Sequence, residues 1–443
     1  MSVLALGLVL VAALVILVLL GMHIAIALFL VGFVGIWVLR GNIDLAFRML
    51  DLTAWNGIAD YLFATIPLFV MMGLLVSASN VGRDTFAVAE VLLRRLVGGL
   101  GVATVAANTV FAAVTGVSIA SAAVFTRVAV PEMRQHGYRP AFAAGTVAGS
   151  SILGMMIPPS LLMIVYGVLA EVSIGAMFIA GVIPGLLLAS GFVGIIMLMA
   201  RFSPGFVYTN PEEARQRRIT LRTEQEMPAG EMLKKLLPIV ALVGLVLGGL
   251  YSGYFTPTEA GGVGAFGALL IAIARQSLNW QKMWDIIIQT GTISVSILLL
   301  LIAASFYSRM LSVAGLPNAI SDLIRDGGFS PAGFLTMYIL LIIVIGMILD
   351  STSILLIVVP IMAPIAQSFG FDLIHFGVVT VLAVEMGLLT PPFGISVFTV
   401  HNTLNDPDVG VEAVFLGTIP FILVMASVLI LLAAVPQLTL MLL

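Results

Sequence analysis

The chain has 443 residues, 61% of them hydrophobic and only 9% charged, with a formal net charge of −3. An average soluble domain is roughly 25% charged, so an ordinary cytosolic enzyme of this size is excluded. With 19 Lys+Arg against 22 Asp+Glu, no basic stripe is left over for a nucleic acid. The lack of cysteine removes disulfides, Cys-based metal sites and thiol nucleophiles.

What remains is an all-α polytopic membrane protein, because apolar runs such as 3–20 are unbroken, whereas barrel strands would alternate. No basic n-region marks a signal peptide, so 3–20 reads as a retained helix. Further spans are predicted at 22–39, 61–79, 140–170, 175–200, 236–251, 257–274, 284–307, 376–400 and 413–441. Each supplies the ~20 residues that a bilayer requires, or more, which makes ten crossings. Asp44, Arg48 and Asp51 alternate with apolar residues at helical spacing, as in a helix lying in the interface. Segment 83–97 is similar, with Glu90 and Arg94 four apart. Thr256-Pro257-Thr258-Glu259 is a capping box opening a helix. Segment 201–235 is the one clearly soluble stretch, mixing Arg215, Arg217, Arg218 and Arg222 with Glu212, Glu213, Glu224 and Glu226. It reads as a solvated cytoplasmic linker, with a regulatory or lipid-binding role as the alternative.

Two apolar stretches, 101–126 and 333–362, do not fit single crossings and are read as re-entrant hairpins. With both turning back, one orientation puts 15 of the 19 Lys/Arg in the cytoplasm and leaves only Arg40, Arg48, Arg309 and Arg325 outside. The positive-inside rule favours that orientation, with both termini periplasmic. Trp37, Trp55, Trp280 and Trp284 sit at predicted span ends, as in an aromatic belt.

The two halves match at an offset of 233. Ser118 pairs with Ser351, Pro131 with Pro364, Gly137 with Gly370, Gly154 with Gly387, and Pro158-Pro159 with Pro391-Pro392. The organisation is therefore a first repeat (1–200), a linker (201–235) and a second repeat (236–443). Each repeat has five crossings and one hairpin. Five is odd, so the second repeat is inverted in the membrane, an arrangement used by many secondary transporters with sites at interrupted helices. The competing reading is a duplication kept only for folding.

The paired breaks lie mid-span, at Gly154-Met155-Met156-Ile157-Pro158-Pro159-Ser160 and at Gly387-Leu388-Leu389-Thr390-Pro391-Pro392. Proline removes an N–H and clashes with the carbonyl four residues back. Freed carbonyls survive at that depth only beside protein or a polar cavity. The first hairpin carries Thr104, Asn108, Thr109, Thr115, Gly116, Ser118, Ser121 and Thr126, and splits at Thr115–Ser118 into two arms of ~11 residues, each ~16 Å long. The second has the tip Asp350-Ser351-Thr352-Ser353, where a carboxylate among hydroxyls is expensive and marks a functional candidate. Helix capping by these groups is the plainer alternative.

Two symmetry-related cation sites follow. The first draws on Thr115, Gly116, Ser118, Gly154, Ile157 and Pro158. The second draws on Asp350, Ser351, Thr352, Gly387, Thr390 and Pro391. Mostly neutral oxygens with at most one carboxylate suit Na⁺ rather than a divalent metal, and half-helix N-termini at the same depth favour an anionic substrate group. Glu385 reads as a structural bond to a neighbouring helix or a proton relay. His375 and Asp372 read as interfacial. Arg309 follows a span on the outer side, where it meets an anion or simply snorkels. No phosphate-binding loop and no H-E-x-x-H occur, and four histidines without cysteine make zinc or haem improbable. An ion gradient is then the energy source; one charge moved through 100 mV gives ~2.3 kcal/mol.

The run Ala113-Val114-Thr115-Gly116-Val117-Ser118-Ile119-Ala120 resembles the first hairpin of the large membrane subunit of tripartite ATP-independent periplasmic (TRAP) transporters. The match continues through Ile66-Pro67-Leu68-Phe69, Pro131-Glu132-Met133, Gly154 to Ser160, Ala180-Gly181-Val182-Ile183-Pro184-Gly185, Leu349-Asp350, His375-Phe376-Gly377 and Thr390-Pro391-Pro392. Val117 stands where the family usually has a second serine. The resemblance implies an elevator-type, Na⁺-coupled importer in a bacterial inner membrane. It also implies a small four-helix membrane subunit and a soluble periplasmic binding protein that delivers an organic anion, such as a dicarboxylate, sialic acid or a sulfonate. By this resemblance Ser118, Ser121, Ser160, Arg309 and Asp350 are the residues to test for substrate or coupling. The runner-up is a stand-alone Na⁺/dicarboxylate or anion carrier of similar fold. An intramembrane enzyme using Asp350 and Glu385 has no supporting signature.

Overall fold

A computed structural model describes residues 3–214, 216 and 227–443, and all its regular elements are helical apart from one isolated bridge, Tyr138 to Tyr208. Arg215, Arg217, Arg218, Arg222, Glu224 and Glu226 of the predicted linker lie outside the described residues. Seven helices among the described residues are long and apolar enough to cross a bilayer: Tyr61–Ala78, Ile174–Phe202, Ala229–Tyr251, Pro257–Ala274, Trp280–Val313, Ser351–Ser368 and Val411–Ala434. Their outward faces are greasy. Leu198, Leu237, Phe266, Val295 and Leu423 are all exposed, and so are all four tryptophans. A surface of that kind needs lipid or protein against it.

The order of elements follows the predicted one with several corrections. Val3–Leu19 and Ile24–Arg40 are the first two helices, each 17 residues. Ile43–Ala59 is the expected amphipathic helix, capped by the Asn42 side chain, which accepts from the Leu45 amide at 3.2 Å. Pro257–Ala274 opens with the full Thr256/Glu259 capping box. The predicted span 284–307 is longer, Trp280–Val313. The predicted span 413–441 ends at Ala434, and a short helix, Gln437–Leu440, follows Pro436, whose missing N–H cannot continue the ladder. Leu316–Asp326 is a further helix, absent from the predicted spans. It buries Leu316, Pro317, Ser321 and Ile324 and is bent 120° from Pro331–Gly346.

Both stretches read as hairpins turn back on themselves. Gly99–Thr115 and Ser118–Gln135 are antiparallel arms. Phe111 meets Phe125 edge-on at 5.5 Å, the Ser121 hydroxyl donates to Asn108 Oδ1 at 3.0 Å, and Thr104 Oγ1 reaches Met133 sulfur at 3.6 Å. The arms have 17 and 18 residues, longer than expected, because the helix continues through Arg127, Glu132 and Arg134. The second hairpin pairs Pro331–Gly346 with Ser351–Ser368, and Phe334 at the start of one arm stacks on Phe369 beyond the end of the other at 4.9 Å.

The two broken helices are where proline and glycine put them. Pro140–Ser151 and Leu153–Met156 are followed by an unwound turn and then Leu161–Leu169, with a 43° bend. Leu373–Gly387 is followed by an unwound stretch and then Ile395–Leu404. The Pro158-Pro159 and Pro391-Pro392 peptides are both cis.

Candidate cation and substrate site

The first hairpin tip is docked on the first break. Gly116, at φ +62°, closes the tip, and its carbonyl accepts from the Leu161 amide at 3.1 Å. A β-carbon on Gly116 would lie 2.6 Å from the Pro159 carbonyl oxygen, and one on Gly154 would lie 3.1 Å from the Val117 carbonyl. Only glycine allows two backbones this close. Gly73 backs the tip from behind, since its β-carbon would meet the Thr115 oxygen at 2.7 Å. Residues 154–160 are all buried, together with Thr115 and Ser118. The carbonyls of Ile157, Pro158 and Pro159 accept no hydrogen bond among the described residues. A buried carbonyl left without a donor is costly unless another partner takes it.

Several hydroxyls of this region have structural employment. Ser160 caps Leu161–Leu169, accepting from the Met163 amide at 3.3 Å and donating to the Met155 carbonyl at 2.6 Å. Thr115 Oγ1 donates to the Phe111 carbonyl at 3.0 Å. Ser121 is fully buried in a chain with Asn108, whose amide donates to Ser150 Oγ at 2.7 Å. That chain ties both hairpin arms to the broken helix. The N-terminus of Ser118–Gln135 has no side-chain cap, which leaves its first amides available to an anionic group.

The second tip is arranged differently. Asp350 is exposed and caps its own helix, accepting from the Thr352 and Ser353 amides, each at 3.1 Å, and from the Ser353 hydroxyl. The helix-capping alternative therefore describes its present bonds. Thr390 Oγ1 donates to the Met386 carbonyl at 2.8 Å, and the carbonyls of Leu389, Thr390 and Pro391 accept no hydrogen bond among the described residues. Pro391, Pro392 and Phe393 are exposed, in contrast to the closed first break. Gly387 packs on Gly346 so closely that a β-carbon on Gly387 would lie 2.7 Å from Gly346 Cα. The structure thus brings Thr115, Gly116, Ser118, Gly154, Ile157 and Pro158 together. Of the second set, Gly387 is seated against the hairpin arm, while Asp350 and Thr352 make their bonds within the tip.

The two tips meet at Glu385. Its carboxyl is fully buried, and Oε1 accepts from Ser351 Oγ at 3.1 Å. The Ser118 side chain of the other tip acts on the same carboxyl, and Oε2 meets no partner at full hydrogen-bond geometry among the described residues. In the sequence Glu385 is one carboxylate inside a span; its partners come from another helix and from the other half of the chain.

Arg309 lies elsewhere. It is half-buried near the C-terminal end of the long helix Trp280–Val313. It lines a cavity with Asn56, Asp60, Glu171, Ser305 and Ser308 that has no lining residue in common with the hairpin tips. Two ion pairs brace the surroundings: Arg134 of the first hairpin with Asp406, and Arg275 with Asp84. The Asp408 amide, and then Arg134, hold the Asp406 carboxyl below the usual carboxylate range. His375, at the start of the helix Leu373–Gly387, is buried, with Nδ1 on Thr439 at 2.9 Å.

Comparison with known proteins agrees with this architecture. The C4-dicarboxylate TRAP transporter large permease of Pseudomonas aeruginosa is 31% identical over 394 residues, covering 89% of this chain and 88% of that protein. The sialic acid TRAP transporter large permease of Vibrio cholerae is 30% identical, covering 87% of each. Among solved structures, the YdaH transporter of Alcanivorax borkumensis shares the fold at a TM-score of 0.62 and 14% identity, covering 89% of both chains. The model of the tripartite ATP-independent periplasmic transporter DctM component matches residues 11–438. The chain, a multi-pass membrane protein by its apolar helices, belongs to that family of TRAP transporter large membrane subunits.

Proposed function

We propose that the chain is the permease of a Na⁺-coupled secondary importer of a small organic anion in a bacterial inner membrane. Its halves form inverted repeats, and transport proceeds by elevator-type alternating access. The observation that carries this reading is the docking of the first tip on a buried break whose carbonyls lack donors. Neutral carbonyl and hydroxyl oxygens suit Na⁺; a divalent ion would call for several carboxylates. Na⁺ is cargo here, bound and released in each cycle. The residues held for the first site are Thr115, Gly116, Ser118, Gly154, Ile157 and Pro158. Those for the second are Asp350, Ser351, Thr352, Gly387, Thr390 and Pro391, which close on one another only when the exposed second break moves toward the tip.

An organic anion is the fitting substrate because the uncapped N-terminus at Ser118 offers amides to a carboxylate or sulfonate, with Ser118, Ser121 and Ser160 nearest the tip and break. The substrates named for the relatives, a C4-dicarboxylate and sialic acid, are of this class. The partners are a small four-helix membrane subunit and a periplasmic binding protein, and the exposed apolar surface accommodates both subunit and lipid. The test is uptake in proteoliposomes with each partner omitted in turn. The tripartite reading requires both partners; transport by this chain alone would establish the stand-alone carrier instead.

A further inference from the structure

The two proposed cation sites leave one group unexplained. Glu385 is 0% exposed, and its Oε2 meets no partner at full hydrogen-bond geometry among the described residues. An ionised carboxylate in such surroundings is costly unless a cation is paired with it. The groups that face it are the Ser351 and Ser118 hydroxyls, one from each hairpin tip. These two serines are equivalent at the offset of 233, but the carboxylate is not duplicated: 385 − 233 is 152, and residue 152 is a buried isoleucine.

We propose that Glu385, Ser118 and Ser351 form a single additional Na⁺ site shared by the two hairpin tips, whose negative charge comes from Glu385 alone. This rests on the reading of the chain as a Na⁺-coupled permease. Oε2 supplies the anionic ligand, and the hydroxyls add neutral oxygens that a small hard cation accepts. The ion draws both tips onto the helix Leu373–Gly387, so the halves respond to Na⁺ as one body. It also cancels the negative charge of Glu385 beside the tips, so cation binding precedes binding of an organic anion.

The test is the Na⁺ dependence of thermal unfolding of the purified chain with its small membrane subunit, at constant ionic strength made up with choline. Glu385→Gln keeps the shape of the side chain and removes its charge. The expected result is a Na⁺ half-saturation concentration raised by about tenfold or more, as for loss of a charge-assisted contact, with a shallower Na⁺ dependence and a residual response from the other two sites. Glu385→Asp, which carries the test if Glu385→Gln does not fold, keeps the charge but withdraws it from the two serines, and raises the half-saturation concentration by a smaller factor. Unchanged half-saturation and steepness in both variants overturns the shared site and leaves Na⁺ coupling standing. So does a result in which Glu385→Gln alters only the pH dependence, which would assign the carboxyl to a proton. A wild-type complex indifferent to Na⁺ overturns the coupling reading itself.

Discussion

Replacing Gly116 with alanine probes how the first hairpin is docked. Gly116 is left-handed at φ +62°, and an added β-carbon would sit 2.6 Å from the Pro159 oxygen, a backbone atom that cannot rotate away. Two costs combine: about 1–2 kcal/mol for the left-handed backbone and about 1–3 kcal/mol for overpacking. Gly137 separates them. It has φ +81° and nothing within 4 Å of its would-be β-carbon, so Gly137→Ala carries only the backbone cost. The difference between the variants, about 1–3 kcal/mol, belongs to the contact between tip and break. If the docked tip is the state that binds Na⁺, apparent affinity falls with the fraction of docked molecules, by up to roughly 5- to 150-fold. The assay is Na⁺-dependent thermal stabilisation of each variant beside the wild type. Equal Na⁺ affinities for Gly116→Ala and Gly137→Ala would refute the argument that docking builds the site.

Other outcomes follow from the same geometry. Asp350→Asn keeps an acceptor for the Thr352 and Ser353 amides, so stability should hold while Na⁺-driven uptake falls; Asp350→Ala should also lose about 1 kcal/mol of helix capping, read by thermal unfolding. Ser160→Ala should cost about 0.5–2 kcal/mol through the lost cap, whatever its effect on uptake. Arg309→Gln should leave Na⁺ stabilisation unchanged, since its cavity is separate from the tips; a change in Na⁺ affinity would contradict that separation. The Asp406 carboxyl is held below its unfolded range, so its contribution is full above about pH 4 and is lost as pH falls through the lowered value. Asp406→Asn should therefore lower the melting temperature at pH 7, with the gap to wild type closing in acid.

The breaks were legible because proline and glycine act locally: Pro158-Pro159 and Pro391-Pro392 unwind their helices wherever the rest of the chain goes. The hairpin tips were legible because hydroxyls and Asp350 interrupt apolar runs. Arm length was not, since Arg127, Glu132 and Arg134 resemble a loop until Arg134 finds Asp406, 272 residues away. The helix Leu316–Asp326 went unseen because it is amphipathic and lies between two apolar runs, where a bilayer-length criterion finds nothing. Arg309 follows the predicted span 284–307, and what surrounds it is not visible in the sequence. In the structure the helix runs on to Val313, and the arginine sits in a polar cavity beside Asp60 and Glu171. For Glu385 a bond to a neighbouring helix was legible, and Ser351 supplies it; that Ser118 of the other hairpin acts on the same carboxyl is purely tertiary information.

The central claim is that the hairpin tips and helix breaks hold the coupling Na⁺. The most direct measurement is uptake of an organic anion by the complete complex in proteoliposomes, with an imposed Na⁺ gradient compared against equal gradients of K⁺ or choline. The account predicts accumulation only with Na⁺, and its loss in the Gly116→Ala variant at Na⁺ concentrations that saturate the wild type. Equal accumulation with K⁺ or choline would contradict it.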